Sequence, residues 1–197
     1  RLEALVKDLE PEQRVLVREA AVIKLARIGV EALPFLTQVL QHDQDVTVRK
    51  TAMGHLLGKI GGVEAVQALA QVADPSSGAL GRIEAVEGLT RALTQKRFYE
   101  VTVRVAAATA LGSLDGDVAL KDLVTALHED ESQWVRGAAA TALGARGGNV
   151  AVNALTEAKD GSENKAPEGK TYVRECVTEA LSTIEDRAAR DHHQQRV

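Results

Sequence analysis

Aromatic residues are scarce: one Trp, two Tyr and two Phe make up 3% of 197 residues. Ala, Val and Leu must therefore supply most of the apolar volume, and a core of such small aliphatics suits closely packed helices. Cysteine occurs once, at Cys176, which excludes an internal disulfide and any cysteine-rich zinc site. It fits a reducing compartment, so the chain is expected in the cytoplasm. No apolar run approaches a membrane span, and the opening "RLEALVKDLE" has no signal-peptide core, so no membrane partner is expected. Positive charge is in deficit, with 24 Lys and Arg against 28 Asp and Glu and a net charge of -4. No global field draws phosphate backbones, which argues against nucleic acid.

What the chain has is repetition. "VRVAAATALG" from Val103 returns as "VRGAAATALG" from Val135, and only Val105 against Gly137 differs. Weaker copies start at Val17, Val48, Gly81 and Val173, so Arg18, Arg49, Arg82, Arg104, Arg136 and Arg174 follow one another at steps of 31, 33, 22, 32 and 38 residues. Steps near thirty mark a solenoid. Three residues after these arginines stand Ala21, Ala52, Ala85, Ala107, Ala139 and Val177; seven after stand Leu25, Leu56, Leu89, Leu111, Leu143 and Leu181. That spacing is one face of a helix.

Shorter apolar patterns lie between these helices, with Leu33, Val66, Leu120 and Val152 in register, and likewise Leu36, Leu69, Leu123 and Leu155. Each repeat thus reads as a helical hairpin. Gly29, Gly61, Gly62, Gly116, Gly147 and Gly148 fall where a first helix must stop and reverse. Asp45 and Ser132 are placed to cap the next helix. Leu9 aligns with Leu40 and Leu127, so "LEALVKDL" reads as the second helix of a repeat whose first helix is absent, and a longer parent chain is expected.

Two places break the rhythm. Between Arg82 and Arg104 there is no room for a second helix, only "TQKRFYE" from Thr94 to Glu100. Seven extended residues would cover roughly 23 Å, about a fifteen-residue helix, and could strap the stack. "GSENKAPEGK" from Gly161 to Lys170 reads as an inserted surface loop. The resulting division is a partial repeat 1–10, then repeats 11–41, 42–74, 75–99 (irregular), 100–128 and 129–160, the loop 161–170, a final helix 171–184 and a polar tail 185–197 that opens as a solvated helix end.

Helices of the form D-x-x-V-R-x-A-A-x-A-L-G with short partner helices resemble the HEAT-like repeats of the phycobilisome-lyase type. The matching residues include Val103, Arg104, Ala107, Leu111 and Gly112, and Val135, Arg136, Ala139, Leu143 and Gly144. The resemblance covers about Leu2 to Ile184 and implies an all-α fold, a right-handed α-solenoid of about five to six hairpins with one irregular repeat near 79–100. It implies several kinds of function, because the family includes scaffolds, regulators, subunits that attach bilins to phycobiliproteins, and a di-iron hydroxylase. The hydroxylase branch carries His-Glu pairs just after the repeat arginine. Here those positions hold Glu19-Ala20, Lys50-Thr51, Ile83-Glu84, Val105-Ala106, Gly137-Ala138 and Glu175-Cys176, and the one "HE", His128-Glu129, ends a second helix. No metal or other cofactor is expected.

His42, His55, His128, His192 and His193 are scattered, Cys176 reads as a small core residue, and no phosphate loop or Ser-His-Asp set stands out. No catalytic residue is assigned. The six arginines read as a structural ladder, each guanidinium tied to an acid of an adjacent turn such as Glu12, Asp43, Asp130 or Glu131. Trp134 and Tyr172 share one repeat position, two before the arginine, and Phe98 and Tyr99 lie on the irregular segment. These four either form a contact patch for a protein partner or fill gaps left by irregular repeats. The expected function is a non-enzymatic scaffold or regulatory module presenting a curved surface to a protein; the alternative is a bilin lyase or lyase-like subunit.

Overall fold

Alanine at the crowded positions, with leucine seven residues after the repeat arginine, lets each stripe close as a helix and bury one face. In the computed structural model, which describes residues 2–114, 119–160 and 167–194, the described residues form eleven α-helices, short 3-10 and π turns, and no strand. The helices are α1 Leu2–Lys7, α2 Val15–Ala26, α3 Leu33–His42, α4 Val46–His55, α5 Gly62–Ala73, α6 Arg82–Thr94, α7 Val101–Gly112, α8 Leu120–Glu129, α9 Gln133–Arg146, α10 Gly148–Asp160 and α11 Pro167–Gln194. The chain divides into two compact units, Arg1–Ala92 and Leu93–Val197.

In the first unit α2 packs beside α4, while α3 packs on α2, α4 and α5 and α1 packs on α2. Leu25, Leu36, Leu40, Leu56 and Leu69 are wholly buried, and burial of one such side chain stabilises by about 1.5–3 kcal/mol. α4 passes into a π turn, Leu56–Ile60, before the chain reverses at Gly61 and Gly62, both at positive φ (65° and 71°) that a side chain would resist. The Asp45 carboxylate caps α4 by accepting the amides of Thr47 (2.8 Å) and Val48 (3.3 Å).

The irregular repeat is pinned by backbone. After a 3-10 turn at Pro75–Ser77, the amides of Leu80 and Gly81 donate to the carbonyls of Gln41 (3.0 Å) and Leu40 (2.8 Å). A Cβ on Gly81 would overlap the Leu40 carbonyl, so only glycine permits this approach. α6 then lays Gly88 against Met53 and Leu69.

In the second unit α7, α9 and α11 stand side by side, with α8 and α10 packed on α9 and α10 also on α11. The repeated decapeptide ends in the residue that sets the spacing. A Cβ on Gly112 would come within 2.6 Å of the Ala142 Cβ, and one on Gly144 within 2.6 Å of the Ala180 Cβ. The seams α7–α9 and α9–α11 are therefore contacts of backbone on alanine, and the decapeptide is written twice because it makes the same seam twice.

Three expectations change. The segment 94–100 is a tight turn, not an extended strap: Lys96 N donates to the Thr94 carbonyl (3.1 Å) and Phe98 N to that of Gln95 (3.0 Å). Lys96 Nζ is held by the Glu129 carbonyl (2.6 Å) and the Tyr99 carbonyl by Arg104 Nη1 (2.9 Å), which fixes the turn at the start of α7. The final helix is α11, with 28 residues, so 167–170 are helical where a loop was expected, and the solvated helix end expected after Ile184 continues to Gln194. Its polar end carries Arg187, Ala188, Ala189 and Arg190, good helix formers, and Arg187 Nη1 bonds the Ala145 carbonyl at 2.8 Å. The expected loop residues 161–166, the turn glycine Gly116 and residues 195–197 lie outside the described residues. Ser132 stands at the N-cap of α9, but its side chain makes no capping bond; its amide donates to the Asp130 carboxylate (2.9 Å).

Candidate functional site

The repeat arginines leave the first turn of their helices and reach in two directions. Arg18 Nη1 turns back to the carbonyls of Gln13 (2.5 Å) and Pro11 (3.5 Å), and its Nε and Nη2 form a fork on Asp43 at 2.8 and 3.1 Å. Arg104 repeats this, with Nη1 on the Tyr99 carbonyl and the fork on Asp130 at 3.1 and 3.0 Å. Pairing with Asp43 pushes the Arg18 guanidinium above its ordinary range. Each aspartate also accepts the amide two residues on, Asp45 or Ser132, so one carboxylate organises the turn that starts the next helix.

Arg49 has the same backward bonds, to the carbonyls of Asp43 (2.9 Å) and Gln44 (3.1 Å), but its fork lands on Glu84 Oε1 at 3.2 and 2.9 Å. The acid in the corresponding turn, Asp74, is occupied by the amide and hydroxyl of Ser76, which hold its carboxyl below the usual range. Glu84 lies on α6, beyond the extra turn, and was missed in the sequence because it follows its own repeat arginine. Arg82 and Arg174 are exposed, and the Arg18 fork goes to Asp43, not to Glu12. Arg136 Nη1 reaches the carbonyls of Asp130 (2.8 Å) and Glu131 (3.1 Å), while its Nε is out of solvent with no acceptor.

The aromatic positions are brought together in part. Trp134 on α9 and Tyr172 on α11 meet at a centroid distance of 4.7 Å and an interplanar angle of 56°. The Tyr172 ring lies on Gly137: a Cβ there would be 2.5 Å from Cε1. This accounts for the single mismatch between the two decapeptides, since Val105 stands where Gly137 must be bare. Trp134 remains 53% exposed. Burial pushes the Tyr172 hydroxyl up, aided by a hydrogen bond with Cys176, and burial likewise raises the Cys176 thiol, keeping it protonated and a weak nucleophile. Phe98 is 78% exposed on the turn before α7, with Tyr99 half-buried beside it.

Two hollows open on the surface. One of ≈ 340 Å³ in the first unit is lined by Val6, Leu9, Pro11, Phe35, Gln38 and His42; one of ≈ 840 Å³ runs along α11 past Arg174, Thr178, Ser182 and Asp186. Among the described residues no cluster of three His, Cys, Asp or Glu converges, and no helix is long and apolar enough to cross a membrane.

The paired helices, their seams and the recurring arginine agree with the family comparison, in which the model for HEAT repeats matches residues 2–90 and 86–166. The chain belongs to the HEAT-repeat family. No curated protein matches this HEAT-repeat chain. Solved structures with a similar arrangement include human deoxyhypusine hydroxylase in complex with glycerol, at 18% identity over 94% of this chain and 96% of that one, TM-score 0.39. They also include an engineered protein at 22% identity, covering 94% and 98%, TM-score 0.45. A designed armadillo repeat protein matches at 20% identity over 93% and 100%, TM-score 0.42.

Proposed function

We propose that this HEAT-repeat chain is a cytoplasmic, non-enzymatic scaffold or regulatory module that holds a protein partner at the N-terminal ends of α9 and α11. The observation that carries the reading is Trp134: a large aromatic, half exposed, yet fixed in orientation by Tyr172, which is itself seated on Gly137. A side chain merely filling a gap would be covered. One that is rigid and uncovered loses little entropy when a partner closes over it, which is the property of an interface anchor. Exposed Phe98 adds a second apolar element to the same unit, and HEAT repeats commonly mediate protein interactions.

The test is native mass spectrometry of the protein isolated gently from its host, with an absorbance trace, repeated with Trp134→Ala and Tyr172→Ala combined. A co-purifying protein that is lost from the double variant, with helicity by circular dichroism unchanged, is the expected result. Equal recovery with the variant refutes the patch. A tetrapyrrole mass with visible absorption would replace this reading by the bilin-lyase one.

A further inference from the structure

A proline cuts the last turn of α1 short. Leu9 aligns with Leu40, and α3 runs on to His42, where the equivalent residue after α1 is Pro11. A proline ring clashes with the carbonyl four residues back and pushes the residue before it out of the helical region. α1 therefore stops at Lys7 and closes with tighter bonds, Leu9 N to the Val6 carbonyl (3.0 Å) and Glu10 N to that of Lys7 (3.2 Å). α3 packs on α5, whereas between α3 and the shortened α1 opens the hollow of ≈ 340 Å³. Val6 and Leu9 wall one side and Phe35 and Val39 the other, and Arg18, Asp43 and Gln44 complete the lining. Arg18 brings an unused donor there. A guanidinium has five N–H groups. Nε and Nη2 each give one to Asp43 and Nη1 gives two to the carbonyls of Gln13 and Pro11, so one on Nη2 is left over. In the sibling Arg104 the group beyond the fork is Glu131, 3.6 Å from Nη2. Gln44 follows Asp43 as Glu131 follows Asp130, so in the first unit that acid is replaced by an amide on the wall of the hollow.

We propose that this hollow receives a tyrosine side chain of a protein partner, its ring between α1 and α3 and its hydroxyl on the spare Nη2 proton of Arg18. The site belongs to the first unit and does not depend on the Trp134–Tyr172 patch. Apolar walls and a volume at the small end of the usual range for ligand pockets, about 300–1,000 Å³, suit a single ring. The charges of Arg18 and Asp43 cancel, and Glu10 leaves the lining negative, which disfavours a carboxylate or phosphate and selects a neutral acceptor. A phenol oxygen accepts from Arg18 and returns its own proton to Asp43, whose Oδ2 takes one bond from Arg18 Nε. Gln38 and Gln44, exposed at the rim, each offer a donor and an acceptor to the peptide backbone that carries the ring.

The probes are N-acetyltyrosinamide and N-acetylphenylalaninamide, titrated into the full chain while the methyl signals of Val6, Leu9 and Val39 are followed by NMR. The expected result is a saturable shift with the tyrosine probe and binding about ten-fold weaker for the phenylalanine probe. Gln44→Glu, at an exposed position, supplies the acid that the sibling arginine has, and should bring the tyrosine probe down to the level of the phenylalanine one. Equal binding of the two probes to the parent chain, no shift with either, or a tyrosine preference that survives in Gln44→Glu overturns the proposal. Tighter binding of 4-methylbenzoate than of p-cresol also overturns it, because the site would then be an anion receptor. So does p-cresol binding as tightly as N-acetyltyrosinamide, which would remove the peptide as the source of the ring.

Discussion

A pair of glycine-to-alanine variants tests whether the decapeptide glycine sets the helix seam. Gly54 in α4 and Gly112 at the end of α7 are both helical, so alanine brings each the same propensity gain of about 0.8–1 kcal/mol. A Cβ on Gly54 meets nothing within 4 Å, whereas one on Gly112 lands 2.6 Å from the Ala142 Cβ and 2.7 Å from its Cα. Neither atom can rotate away, so α7 and α9 must part by most of an ångström, and overpacking of this kind costs about 1–3 kcal/mol. Gly54→Ala should therefore stabilise, and Gly112→Ala should be less stable than Gly54→Ala by about 1–3 kcal/mol. At roughly 2–4 °C per kcal/mol for a chain of this size, the two melting temperatures should differ by several degrees. Thermal and urea denaturation followed by far-UV circular dichroism reads both, with Trp134 fluorescence reporting the second unit separately. Equal shifts in the same direction would refute a backbone-limited seam.

Three further outcomes follow from the same geometry. Asp130→Ala removes the carboxylate on the fork of the Arg104 guanidinium, 2% exposed, leaving the longer contact with Glu131 at 3.6 Å, and should cost about 3 kcal/mol, against at most about 0.5 kcal/mol for Arg174→Ala, both by urea denaturation. Gly137→Ala should leave stability within about 1 kcal/mol of the parent, since the Tyr172 ring can swing aside and the propensity gain offsets a lost aromatic contact, but it should change Trp134 emission. Burial lowers the His55 pKa, with Lys59 and Arg27 adding to the shift. The unfolded chain therefore binds the proton first, and His55 contributes stability that is present above its unfolded value near 6.5 and is lost as pH falls below it. Melting temperatures at pH 7.5 and 5.5 should converge in His55→Gln.

The stripe was legible because burial repeats with it: Ala52, Ala85, Ala107 and Ala139, and Leu25, Leu56, Leu89, Leu111 and Leu143, are all buried. The last copy differs, since Leu181 on α11 is half-buried. Trp134 and Tyr172 were found by register, but the glycine beneath Tyr172 was hidden in what looked like a neutral mismatch. Glu84 and Gly81 were not legible, because both answer to a backbone pairing between residues 80–81 and the end of α3 that no periodicity encodes. How far the solvated helix end runs past Ile184 was not legible from an apolar stripe, because there propensity alone keeps the helix going to Gln194.

The seams of the second unit are fastened unequally. α9 is held to α7 at one end by Asp130, between Arg104 and the α9 turn, and at the other by the Gly112 contact and by Arg146 on the carbonyls of Leu111 and Leu114. α11 has the matching far-end fastenings, Gly144 on Ala180 and Arg187 on Ala145, and towards its near end the described contact with α9 is the Tyr172 ring on Trp134 and Gly137. Thermal opening of that seam is therefore a swing of a door hung on Ala180. The surfaces it bares beneath Tyr172 are Gly137 and the covered face of Trp134, so the Gly137 amide should exchange before those of α7.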